Sequence, residues 1–174
     1  MKKSAVLILI LYLLVIFSGC GRSAADQEGM LKIIAEENGV SEGLSVQAAG
    51  TVELGDAVLM CAAAGDDSQG RKYFAAEFNH KANQYEFVHS YKLAERGADM
   101  FSLIWADGYV FLSNNEASKS LQIRYPNGEK DDELIAIDSI PFVYYLDLSE
   151  TNPDNAENTF EYYFLNEKGE AISQ

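Results

Sequence analysis

MFSLIWADGYVFLS, residues 100–113, decides the fold. Phe101, Leu103 and Trp105 fall on alternate positions, so one face of an extended segment carries them all. Asp107-Gly108 then separates Trp105-Ala106 from Tyr109-Val110. A two-residue type I′ turn wants positive φ at both central positions, which makes Asp-Gly between two such runs a strong hairpin signal.

The same period of two continues on both sides. Residues 44–48, 51–54, 57–64, 72–78, 85–93, 100–106, 109–113, 121–125, 134–137, 142–148 and 160–165 are rich in β-branched and aromatic residues and read as strands. Residues 79–84, Tyr125-Pro126-Asn127-Gly128 and Asn166-Glu167-Lys168-Gly169 supply turn chemistry. Tyr85, Phe87, His89 and Tyr91 would share one strand face. Phe142, Tyr144 and Leu146 would share another, with Val143 and Tyr145 on its reverse, so that strand needs cover on both faces. Asp26 caps a short helix over 27–38, with Met30, Ile33 and Ile34 on its apolar side and Gly39 as its stop. The expected class is mainly β: an antiparallel meander folded into a two-sheet sandwich or partly closed barrel, with one N-terminal helix.

Ahead of this lies MKKSAVLILILYLLVIFSGC, residues 1–20. Two lysines precede an apolar run from Ala5 to Phe17, then small residues, which is the pattern of an export signal. A run of thirteen residues reaches about 20 Å as a helix, short of a hydrocarbon core of roughly 30 Å. Phe17-Ser18-Gly19-Cys20 resembles the lipobox of bacterial lipoproteins, with Phe17 where that family more often has Leu. The resemblance implies removal of residues 1–19, a diacylglycerol on the sulfur of Cys20, an acylated amine such as a palmitoylated one, and a place on the outer side of the cell membrane. The expected plan is a signal peptide over 1–19, a lipidated tether over 20–26 and one domain over 27–174. A secretory signal or uncleaved anchor is the alternative reading.

After cleavage, 11 cations face 27 acids, a net charge of −16. Nucleic acid and anionic headgroups are therefore disfavoured partners. Cys61, the one thiol left beside Cys20, sits in an apolar run and reads as a small buried hydrophobe, so no intramolecular disulfide is expected.

Catalytic motifs are missing: no Gly-x-Ser-x-Gly, Ser-x-x-Lys, phosphate-binding loop or dinucleotide fingerprint occurs. His80 and His89 lack a metal-ligand spacing. The acidic stretches 65–68, 131–133 and 152–157 offer oxygens to calcium but none has an EF-hand order. No cofactor, metal site or catalytic residue is assigned. Among the aromatics, Trp105 and Tyr109, flanking the 107–108 turn, are the expected candidates for surface contact. The leading reading is a non-enzymatic binding or interaction module, an accessory or sensing subunit that meets a protein partner or small ligand. An envelope glycan hydrolase using paired carboxylates is the alternative.

Overall fold

A computed structural model describes residues 22–41, 43–65, 70–95, 97, 99–126, 130–148 and 160–172. Cys20 and the export signal lie outside these, as do the 152–157 stretch and most of the 65–68 stretch.

Among the described residues, twelve strands form three antiparallel sheets, with one helix. Sheet A orders β1 (Ser23–Ala24), β5 (Gln84–Tyr91), β4 (Lys72–Lys81), β3 (Ala57–Ala64) and β2 (Val46–Leu54). Sheet B orders β11 (Phe142–Asp147), β8 (Gly108–Ser113), β7 (Met100–Trp105) and β6 (Ala94–Glu95). Sheet C orders β10 (Glu133–Ala136), β9 (Ser120–Arg124) and β12 (Glu161–Leu165). The expected sandwich is present, with a third sheet added.

Alternation along each strand sends its residues to separate cores. One face of sheet A, with Met60, Ala62, Ala76 and Phe78, packs on Met30, Ile33 and Ile34 of α1 (Gln27–Glu37). Its other face, with Leu59, Cys61 and Ala75, meets Leu103, Trp105, Val110 and Leu112 of sheet B. The reverse of sheet B, with Met100, Phe111 and Leu146, packs on Leu121, Ile123 and Phe164 of sheet C. The order of layers is helix, A, B, C. Sheet B is thus covered on both faces: Val143 and Tyr145 go to one core, Phe142, Tyr144 and Leu146 to the other.

The helix begins as the sequence predicts. The Asp26 carboxylate accepts from the Gly29 N–H at 2.9 Å, and Asn38 closes the other end by donating its side-chain amide to the Ile34 carbonyl at 2.8 Å.

Three local expectations are corrected. The turn between β7 and β8 is Ala106-Asp107, with Ala106 at φ +48°, and Gly108 already pairs with Trp105. The face shared by Tyr85, Phe87, His89 and Tyr91 is broken, because Phe78 pairs with Phe87 while Glu77 pairs with His89. Val88 is the extra residue of a β-bulge, which turns the rest of the strand over. Tyr85 and Phe87 therefore pack on the helix side, whereas Tyr91 joins the core between A and B. Finally, Arg22 to Ala24, expected in a tether, belong to sheet A: Ser23 pairs with Glu86, Ala24 with Tyr85, and the Phe87 N–H donates to the Arg22 carbonyl at 2.7 Å. Ala24 is buried, and a Cβ placed on Gly29 would come within 2.9 Å of its side chain.

Candidate interaction surface

Trp105 is not at the surface. It is 2 % exposed, and its indole N–H donates to Glu77 of β4 at 3.0 Å. The same carboxylate oxygen accepts from the Tyr91 hydroxyl at 2.5 Å. Burial, then the hydrogen bond and charge of Glu77, push Tyr91 up to about 12. Trp105 sits where it does because its strand position faces sheet A, and its N–H requires the polar partner that β4 supplies. Tyr109 is partly buried, its ring edge-on to Phe160 at 4.8 Å. Trp105 therefore offers no contact surface, while Tyr109 is half-buried.

Cys61 is fully buried, and desolvation raises its thiol to about 12, which makes it inert as a nucleophile. His80 is exposed and stacks on Tyr85; His89 is exposed and meets Tyr91 edge-on at 5.0 Å. No group of three or more metal-ligating side chains occurs among the described residues. The 131–133 acids have other partners: Asp132 accepts from the Tyr125 N–H and lies 3.9 Å from Arg124, while Glu133 pairs with Lys130 at 2.6 Å.

That last pair anchors a polar cluster at one end of the B–C core. The Tyr125 hydroxyl donates to Glu133 at 3.1 Å, and Lys130 lies over the Tyr125 ring, 5.1 Å from its centroid. The Lys130 hydrogen bond holds the Glu133 carboxyl below the usual range, and the Glu133 bond in turn raises Lys130. Tyr144 is raised, first by burial and then by the Glu133 charge. A depressed carboxyl is the opposite of what a general acid needs, so Glu133 here acts as the acceptor that ties Lys130 and Tyr125 together.

Beside it lies the outer face of sheet C. Because Ile123, Ile135 and Phe164 point inward, the register row Leu134–Gln122–Tyr163 points out. Leu134 is 69 % exposed. Arg124 adds a cation over the Tyr163 ring, at 5.4 Å. The result is a mixed strip, a leucine, a glutamine and a tyrosine with a guanidinium, set in a strongly acidic protein. Periodicity could place Leu134 on a strand, but which face remained uncovered depended on long-range pairing.

Elsewhere a polar cavity of about 290 Å³ brings Glu116 and Asp138 together with Lys119 and Ser118. Among the described residues no aromatic ring lines it. Compared with known proteins, the chain matches no family model, no curated protein and no solved structure.

Proposed function

We propose that this chain is a lipoprotein anchored through Cys20 to the outer side of the cell membrane, and that its β domain is a non-catalytic module that binds a protein partner. The signal pattern of residues 1–20 supports the anchor. The observation that carries the binding reading is the strip Leu134–Gln122–Tyr163 on the outer face of sheet C, where a leucine 69 % exposed shares a face with a tyrosine two strands away and the Arg124 guanidinium over its ring. Interfaces are enriched in Tyr and Arg and centred on apolar anchors, while scattered surface leucines alone signify nothing. Here the three occur on one sheet face.

The test is affinity purification of the tagged, lipidated protein from its native membranes, alongside Cys20→Ala and Leu134→Asp. A stoichiometric partner lost with Leu134→Asp, from a variant of unchanged thermal stability, supports the module. Undiminished capture by that variant moves the contact elsewhere.

A second reading rests on Glu116 and Asp138 sharing one cavity: hydrolysis of envelope glycans by a carboxylate pair. That none of its described lining residues is a ring to stack a sugar counts against it. Release of soluble fragments from purified cell-wall glycan, abolished by Glu116→Gln and by Asp138→Asn, is the result that would put it first.

A further inference from the structure

We propose that the lipid holds the domain in one orientation, with the β1–β5 edge of sheet A against the bilayer and the β2–β11–β10 flank facing away. This rests on the reading of Cys20 as the lipid-bearing residue.

Arg22, two residues after Cys20 and just ahead of β1, is already tied to sheet A. The Arg22 carbonyl is bonded to Phe87, and its guanidinium is paired with Glu37 at 2.5 Å and Glu36 at 3.6 Å on α1. Two residues of fully extended chain span at most about 7 Å, so Arg22 cannot stand further than that from the acylated residue. A tether of seven residues would leave the domain free to turn. One this short does not.

The direction of exit follows from the pairing. Read backward from Ala24 to Arg22, β1 advances along β5 from Tyr85 to Phe87, and the next residue of β5 is the bulged Val88. Val88 is 46 % exposed. The bulge holds this apolar side chain out of the core on the edge toward which the anchored end points. A lipid surface is the occupant that suits it, since the acyl chains are delivered there.

The opposite flank is equally defined. Sheet A ends at β2, four strand spacings or about 19 Å from β1. Gly50 of β2 packs on Val143 of β11, and Tyr144 of β11 bonds to Glu133 of β10. The strand carrying Leu134 is therefore on the side away from the membrane. Electrostatics give no competing orientation by attraction: with a mature charge of −16, an anionic surface repels the domain as a whole.

The experiment uses the full lipidated protein in liposomes of neutral phospholipid containing a headgroup spin label. A fluorophore is placed by Val88→Cys in one sample and Leu134→Cys in another; buried Cys61 does not compete for the label. Quenching several-fold stronger at 88 than at 134, and equalised when ten Gly/Ser residues are inserted between Gly21 and Arg22, is the expected result. Equal quenching at both positions in the uninserted protein, with intact mass confirming lipid on residue 20, overturns the orientation and leaves the anchor standing. A mass without lipid removes the anchor reading, and the orientation with it.

Discussion

Gly108 illustrates how one residue type answers two different demands. Asp107-Gly108 looks like a turn that needs positive φ, yet the turn lies one residue earlier. What requires glycine is β11: a Cβ on Gly108 would stand 2.3 Å from the Leu146 carbonyl oxygen and 2.6 Å from the Tyr145 ring. The hairpin was legible and its register was not, because only the neighbouring strand reveals the close approach. Gly108→Ala should cost about 3 kcal/mol, the upper end of the overpacking range. Gly55→Ala, at φ +59° with nothing within 4 Å, should cost about 1 kcal/mol of left-handed strain. Urea unfolding followed by the single Trp105 compares them; equal costs would show that β11 can yield. Glu77 was likewise invisible in sequence, one acid among 27. Glu77→Ala strands the buried Trp105 N–H and should cost about 1–3 kcal/mol, read as a fall in the urea midpoint with an unchanged slope. Tyr91 adds a pH signature. Its folded pKa stands above the ordinary 10, at about 12, so the unfolded chain loses this proton first, and the stabilisation it contributes is lost between pH 10 and 12. Tyr91→Phe should flatten the decline in urea midpoint over that window. An unaltered decline would place the alkaline sensitivity on other groups.

At the scale of elements, local rules carried far. The helix with its Asp26 cap and nearly every strand centre followed from capping chemistry and period two. Asp26→Ala should cost about 1 kcal/mol, measured by thermal unfolding, and no change would mean that Ala24 and the Arg22 ion pairs hold the first turn without the cap. The failures share a physical origin. Residues 44–48 and 51–54 read as two strands but form one, bent at Gly50 where the register shifts by a residue and a Cβ would meet Val143 at 2.6 Å. Val88 likewise inserts a residue that period counting cannot see. Bulges and two-residue strands such as β1 and β6 take their stability from partners far away in sequence, so nothing local marks them. The polar ties between layers are equally nonlocal: Tyr73 donates to Asp99 and accepts from Asn114, joining A to B, and Tyr162 donates to Ser102, joining C to B.

At the scale of the molecule, three sheets and a helix stack so that sheets A and B are each enclosed by two cores, while α1 and sheet C each rest on one. The sequence hinted at this through the strand 142–148, apolar on both faces, but a strand with two apolar faces does not say what covers it. The candidate surface follows from the same asymmetry. Sheet A spends its outer face on α1, whereas the strip around Leu134 on sheet C has no described helix or strand packed on it. Stability should be graded accordingly. β8 has strands on both sides and cores on both faces, so its amides exchange only when the whole domain opens. Those of β10, four residues at an edge of sheet C, need only a local opening. Amides of residues 109–113 should exchange at least about tenfold more slowly than those of 133–136, a gap of about 1.4 kcal/mol or more, by hydrogen–deuterium exchange on the lipidated protein. Matching rates would mean that sheet C opens only with the rest, making the Leu134 strip a rigid face of the whole domain. Faster exchange in β10 that slows when the captured partner is added would show that this edge, loose in the free protein, is ordered by the contact.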